Sequence, residues 1–272
     1  MVERLIRLVA TDLDGTLLHT DGTVTERTRA ALTAVEALGV AVVFVTGRPV
    51  RWMLELWEHV GEHGLAICSN GGVVYDVRRR AVRCARAIPV EVGLQVAHLL
   101  RTGIPGTTFA LERTTGFGME PGFTERYALP EDVRVGPLHD LFDARTVKML
   151  ARHEELEPEP FWAETERLVG HLVTTTSSSL GALVEMSAAG VTKATTLALL
   201  CEELGVPAKQ VLAFGDMPND LAMLEWAGTS YAMANAHPSV LALARHTAPS
   251  NQEDGVAVVL EQVFGLGGPG RQ

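Results

Sequence analysis

Apolar residues come in short compact runs at both ends of the chain and in a looser, turn-broken pattern between them. Residues 5–10 form an apolar run that stops at Thr11-Asp12, as a buried parallel strand does. Thr25 is placed to cap a helix in which Ala31, Leu32, Val35 and Leu38 recur at helical spacing, and Gly39 ends it. Residues 40–45 predict a second buried strand, running into Thr46-Gly47-Arg48. Pro49 then opens a helix reaching about residue 60. Residues 65–68 predict a third strand. After Ser69-Asn70-Gly71-Gly72 comes a hairpin pairing 73–75 with 81–87, with Arg78-Arg79-Arg80 as its exposed turn. Strand–helix alternation with short loops predicts a parallel sheet covered on both faces.

The middle is different. Prolines and turn formers break it up, among them Gly116-Phe117-Gly118, which reads as a turn. The pattern predicts helices at 90–102 and 160–169 and strands near 107–111, 146–151, 171–176 and 181–186. The polar stretch 174–179 reads as the turn between the last two. Strand–helix alternation then resumes, with helices at 192–204, 217–226, 238–244 and 253–264 and strands at 210–214 and 230–234. The architecture expected is an α/β fold in three segments. A Rossmann-like parallel-sheet core (1–87 and 187–272) is interrupted by an inserted α+β cap domain (88–186). Ile88-Pro89 and Met186-Ser187-Ala188-Ala189-Gly190 read as its hinges.

Composition narrows the function classes. With 47% hydrophobic and only 6% aromatic residues, the core is expected to be aliphatic and the chain ordered. A net charge of −10 disfavours a nucleic-acid surface. Glu3, Arg4, Arg7 and Asp12 break up the first apolar stretch, so it reads as neither signal peptide nor membrane span. Three dispersed cysteines without a C-x-x-C pair suit a reducing compartment, and a cytoplasmic location is expected.

Four clusters carry chemistry. Asp12-Leu13-Asp14-Gly15-Thr16 follows a buried strand, where open α/β sheets bind ligands. Its two close carboxylates repel unless a hard cation lies between them, and Thr16 offers a hydroxyl and an amide to an anion. Calcium-loop spacing is excluded, because positions 16 and 23 are both threonine. Thr46-Gly47-Arg48 ends the next strand and can form a phosphate nest. Lys193 stands at a helix start, where a cation opposes the helix dipole and so suggests another use. Gly215-Asp216-Met217-Pro218-Asn219-Asp220 leaves a strand for a helix, with its two acids four residues apart and matched to Mg²⁺. Each alone has an ordinary structural reading. Together, the 147-position separation of Thr46 from Lys193 demands an insertion, since the two sites need only a few steps of sheet between them.

The set DxDGT, T-G-R, Lys and G-D-x-x-N-D resembles the haloacid dehalogenase-like hydrolase superfamily, and the long insertion resembles its Cof-type subgroup with a large α/β cap. Val191-Thr192-Lys193, Tyr231-Ala232-Met233-Ala234-Asn235-Ala236 and Ser250-Asn251-Gln252-Glu253-Asp254-Gly255-Val256 are similar to Cof-type signatures as well. The departures are Gly72 where Ala is frequent, Ala194 where Gly is frequent, and Pro218 inside the last motif.

The resemblance implies that Asp12 is a nucleophile and Asp14 a general acid and base, with Thr46 and Lys193 holding phosphoryl oxygens. It implies a phosphate-binding set of Asp12, Leu13, Gly15, Thr46, Gly47, Arg48, Lys193 and Asn219. Asn70, with Gly47, would shape the pocket. Mg²⁺ is the implied cofactor, assigned to Asp12, Asp14 (through its backbone carbonyl) and Asp216, with Asp220 supporting it or the lysine. The function implied is a phosphatase of small phosphorylated metabolites acting through an aspartyl-phosphate. Such an enzyme would be a monomer or homodimer, without nucleic-acid or membrane partners. A phosphomutase and a phosphate-accepting signalling module are the alternatives. The inserted domain and the second acid, Asp14, argue against the latter. Elsewhere, His59 and His63 read as a solvated helix face, and Trp52 and Trp57 as helix packing.

Overall fold

The computed structural model describes residues 6–53, 56, 64–177 and 181–266. Two sheets organise it. In the first, β1 (Leu8–Thr11), β2 (Ala41–Val45) and β3 (Leu65–Cys68) join β12 (Val211–Gly215), β13 (Thr229–Met233) and β14 (His246–Ala248). They run parallel in the order β14-β13-β12-β1-β2-β3. The hairpin β4 (Val73–Asp76) and β5 (Ala81–Ala85) continues this sheet antiparallel beyond β3. Every residue of β1 is buried, which is what its unbroken apolar run predicts for a strand covered on both faces.

α1 (Glu26–Ala37) and α9 (Gly255–Phe264) pack together, as do α6 (Lys193–Glu203) and α7 (Leu221–Trp226). α2 (Val50–Met53) and α8 (Pro238–Leu243) are short. Thr25 caps α1 as expected, its hydroxyl accepting the Thr28 amide at 3.1 Å, an interaction worth roughly 1 kcal/mol.

The second sheet has the order β10-β11-β9-β6-β7-β8 and is antiparallel except for β7 with β8. Its strands are β6 (Thr108–Arg113), β7 (Gly116–Met119), β8 (Arg134–Val135), β9 (Thr146–Arg152), β10 (Val173–Ser177) and β11 (Leu183–Ala188). α3 (Val90–Gly103) and α5 (Pro158–Val169) cover one face, where Phe109, Leu111, Met149, Val184 and Met186 meet Val96, Leu100 and Phe161. The short α4 (Leu138–Leu141) packs at the β6–β7 end. The opposite face carries a smaller apolar cluster around Phe117, Leu150 and Leu183.

Several expectations need correcting. Gly116-Phe117-Gly118 is strand rather than turn, because the fully buried Phe117 anchors it to the sheet. Residues 174–177 lie in β10 rather than in a turn, paired along their length with β11, and the rest of the expected turn, 178–179, lies outside the described residues. β11 runs through Ala188, so Met186–Ala188 is hydrogen-bonded strand rather than flexible hinge, and the chain turns at Gly190. The helix expected over 217–226 begins as a separate 3-10 turn, Pro218–Asp220. β8 and β14, two and three residues long, were too short to leave a sequence pattern. The predicted helix after Pro49 is described through Met53, and the positions of Trp57, His59 and His63 lie outside the described residues. Trp52 does more than pack its own helix: its ring meets Tyr127 edge-on at 4.6 Å. Among the described residues no helix is long and apolar enough to cross a membrane.

All three cysteines are free. Burial pushes the Cys68 thiol up to about 12 and Cys201 to about 11, whereas Cys84 is exposed on β5. A chromogenic disulfide reagent at pH 8 should therefore titrate one thiol in the native chain and three after denaturation. Two or more fast native thiols would contradict this burial.

Candidate active site

The carboxyl ends of three adjacent strands, β12, β1 and β2, bring the motif residues together. Asp12 follows β1, Thr46 follows β2, and Asp216 follows β12. Lys193 is the first residue of α6, behind the Thr192 N-cap, and it is 2% exposed. Its ammonium donates to Asp12 Oδ1 at 2.8 Å and to Asp220 Oδ1 at 2.7 Å. That explains a cation at a helix N-terminus: two carboxylates offset both its burial and the dipole.

The second oxygen of Asp220 accepts the amides of Asp216 and Met217, each at 3.0 Å. Asp220 is thus a brace with both oxygens engaged. Thr16 donates its hydroxyl to Asp216 Oδ1 at 2.8 Å, and its amide to the Leu13 carbonyl at 3.2 Å. The hydroxyl thus serves an anionic side chain, whereas the amide, also expected to face an anion, is taken by the turn.

Carboxylate oxygens of Asp12, Asp216 and Asp220 lie within 4.8 Å of one another. Burial holds the Asp12 carboxyl well above the usual carboxylate range; Lys193 opposes this, while Asp220 and Asp216 add to it. Burial likewise raises Asp216 to about 6, against the Thr16 hydrogen bond. Burial works to lower the Lys193 ammonium, but Asp12 and Asp220 override it and hold it above its ordinary value. Three buried carboxylates face one ammonium, and that excess of hard oxygen donors suits a small divalent cation. Gly15 keeps the approach to Asp216 bare, since at φ +74° a Cβ there would lie 2.3 Å from Asp216 Oδ2. The donor set fits Mg²⁺.

Asp14 faces elsewhere. Its two oxygens accept from the Arg48 guanidinium at 2.8 and 2.5 Å, and its side chain stays 56% exposed, outside the acidic cluster. The Asp14 carboxylate is therefore not a member of that cluster. The Thr46 hydroxyl accepts the Arg48 amide at 3.0 Å, forming the expected strand-end turn. Asn70 braces this turn from the side: its backbone adopts φ 53°, and its amide donates to the Thr46 carbonyl at 3.1 Å. Asn219 Nδ2 donates to Asn70 Oδ1 at 3.2 Å, while Asn219 Oδ1 is buried without a hydrogen-bond partner. Leu13 is buried in the core, and its carbonyl accepts the Thr16 and Leu18 amides.

Sequence reasoning missed the ceiling of the site. The face of the second sheet opposite α3 and α5 turns charged side chains toward the strand ends. Lys148 on β9 donates to the Gly47 carbonyl and to Glu185 of β11, both at 2.7 Å. Glu112 on β6 pairs with Arg51 of α2 at 2.7 Å. A charge inside an otherwise apolar strand, Glu112, Lys148 or Glu185, was the available signal. Asn235 was also missed as a brace. Its Nδ2 donates to the Gly15 carbonyl at 2.8 Å and its Oδ1 accepts the Asn251 amide at 3.0 Å, which gives the two later motifs a structural use.

The chain is similar to several known proteins. Residues 9–260 match the family of haloacid dehalogenase-like hydrolases. The chain is 31% identical over 254 residues to a 5-amino-6-(5-phospho-D-ribitylamino)uracil phosphatase of Bacillus subtilis, covering 93% of each chain. It is 29% identical over 281 residues to a pyridoxal phosphate phosphatase of Escherichia coli, covering 92% of this chain and 96% of that one. A solved haloacid dehalogenase-like hydrolase from Bacillus subtilis shares the fold, with a TM-score of 0.81 at 23% identity across 94% of this chain and 99% of that chain.

Proposed function

The chain belongs to the haloacid dehalogenase-like hydrolase family, and from that premise we propose that it is a Mg²⁺-dependent phosphatase of small phosphorylated metabolites. The observation that carries this reading is the buried cluster in which Lys193 joins Asp12 to Asp220 beside Asp216. Relatives named for phosphorylated heteroaromatic compounds support the substrate class.

In this reading Asp12, through its carboxylate, attacks phosphorus and the bond from phosphorus to the ester oxygen breaks, leaving an aspartyl-phosphate. Asp14 gives its proton to the departing alkoxide, then takes one from the water that cleaves the acyl phosphate. Since Arg48 grips both oxygens of Asp14, the carboxyl must first exchange that partner; the phosphoryl group is the competing anion for Arg48. Lys193 and the Thr46 hydroxyl offset charge on the phosphoryl oxygens, the dominant contribution in this chemistry. Asp12, the backbone carbonyl of Asp14, and Asp216 would hold Mg²⁺, with Asp220 behind them through Lys193. When bound, the ion supplies positive charge that lets a dianionic ester approach the acidic cluster.

We also assign residues 88–186 as the inserted cap, its last strand reaching Ala188. Ile88 supports the first boundary, since it is fully buried in the cap's own apolar cluster.

A screen of phosphomonoesters for released phosphate, run with EDTA and then with excess Mg²⁺, tests the function. EDTA should silence the enzyme and Mg²⁺ restore it. Without substrate, Mg²⁺ at a hundredfold over its Kd should stabilise the fold by about 2.7 kcal/mol, visible as a raised Tm. Full hydrolysis in chelator, or no Mg²⁺ shift in Tm, would overturn the metal assignment. A mutase would instead convert one sugar phosphate into its isomer without releasing phosphate.

A further inference from the structure

The cap contributes an ordered polar contact to the phosphate-site loops, and it runs through two residues. Lys148 is 2% exposed, on the sheet face opposite α3 and α5. Its Nζ donates to the backbone carbonyl of Gly47, inside the Thr46-Gly47-Arg48 turn, and to Glu185 Oε2, both at 2.7 Å. The same Glu185 oxygen accepts from Asn70 Nδ2 at 2.7 Å, and Asn70 Oδ1 accepts from Asn219. Asn70 and Ser69 in turn bind the Thr46 and Arg48 carbonyls through their amides, at 3.1 and 2.9 Å. One unbroken chain of hydrogen bonds thus joins β9 and β11 to the turn after β2 and to the loop after β12.

The arrangement of charge explains how such a contact can be reversible. A buried ammonium costs a great deal unless it is paired. Lys148 and Glu185 sit on strands of the same sheet, so their ion pair moves with the cap and neither charge is stranded if cap and core separate. What separation removes is the cap's grip on the core: the donor to Gly47 and the acceptor for Asn70. The core loops then keep only their local hydrogen bonds.

We propose that Lys148 and Glu185 are positioning residues, through which the docked cap fixes the Thr46-Gly47-Arg48 turn and the Asn219 loop in the geometry that receives phosphoryl oxygens. This rests on the phosphatase reading for its kinetic consequence, but not for its structural one. Neither residue touches the reacting atoms; both act through Gly47 and Asn70.

The test uses the full chain carrying K148M/E185Q. That pair of changes removes both charges of the ion pair, leaves an amide oxygen to accept from Asn70, and abolishes the bond to Gly47. E185Q alone keeps Lys148 and an acceptor for Asn70 but leaves the buried ammonium without its paired carboxylate, so its kcat is read well below its own Tm. Amide hydrogen exchange of Arg48, Ser69 and Asn70 should be about tenfold faster in the double variant, with α1 amides unchanged. With p-nitrophenyl phosphate, kcat should fall on the order of 10- to 100-fold in the double variant, with KM within about threefold of the parent. E185Q should retain kcat to within about threefold. Unchanged exchange at the three amides, or a lower Tm with kcat untouched, would overturn the proposal and leave these contacts as packing. Faster exchange in a chain whose unmutated parent hydrolyses no phosphomonoester would support the coupling and defeat only the phosphatase reading.

Discussion

Asp12→Asn should abolish phosphate release, by about 10⁴-fold or more in kcat, while leaving the fold and its Tm close to the parent's. The substitution is isosteric, and the amide oxygen can still accept from Lys193, whose present contact with Asp12 Oδ1 is 2.8 Å. What is lost is the anionic oxygen that bonds to phosphorus in the proposed mechanism, and no described neighbour is placed to replace it. Asp216 is tied to Thr16, both oxygens of Asp220 are engaged, and Asp14 is turned out toward Arg48. The measurement is steady-state phosphate release alongside thermal unfolding of the same sample. Activity within about tenfold of the parent would remove Asp12 from the role of nucleophile.

The residues of the candidate site were legible because each stands where an apolar run stops. Asp12, Thr46 and Asp216 follow buried strands, and a parallel sheet aligns the carboxyl ends of neighbouring strands without help from side chains. Local pattern therefore carried long-range information. It failed where a side chain's role depends on a partner far along the chain. Lys148 meets Gly47 across 101 positions and Glu185 meets Asn70 across 115, and no periodicity in β9 or β11 encodes those meetings. For Asp14 the motif position leads one to expect a general acid, but which way its carboxylate points is set by the Arg48 fork, which local pattern does not show.

The cap was harder to read for a different reason. Its strands alternate between a helix-covered face and a face that carries both apolar and charged residues, so β6, β9 and β11 lack a clean apolar–polar period. β7 holds glycines at 116 and 118 on either side of Phe117, a pattern of turn formers overruled by burial of that one ring.

Asp220→Ala should be the most destabilising single change in the site, costing about 3–5 kcal/mol. Asp220 is fully buried and is used three times over: by the Lys193 ammonium at 2.7 Å and by the amides of Asp216 and Met217 at 3.0 Å. Alanine leaves Lys193 with Asp12 alone and deprives both amides of their acceptor. One effect runs the other way, because removing a carboxylate relieves repulsion on Asp12 and Asp216. That relief is the smaller contribution, since it acts between like charges that Lys193 already shields, whereas the lost contacts are direct and desolvated. Asp220→Asn should not rescue: an amide that accepts from the two backbone N–H groups turns its own NH₂ toward the ammonium. Thermal unfolding in EDTA should show Tm lower by on the order of 10 °C for the alanine variant, with asparagine close behind. If either variant kept Tm to within about 2 °C of the parent, Asp220 would not be the brace of Lys193 and the β12 loop.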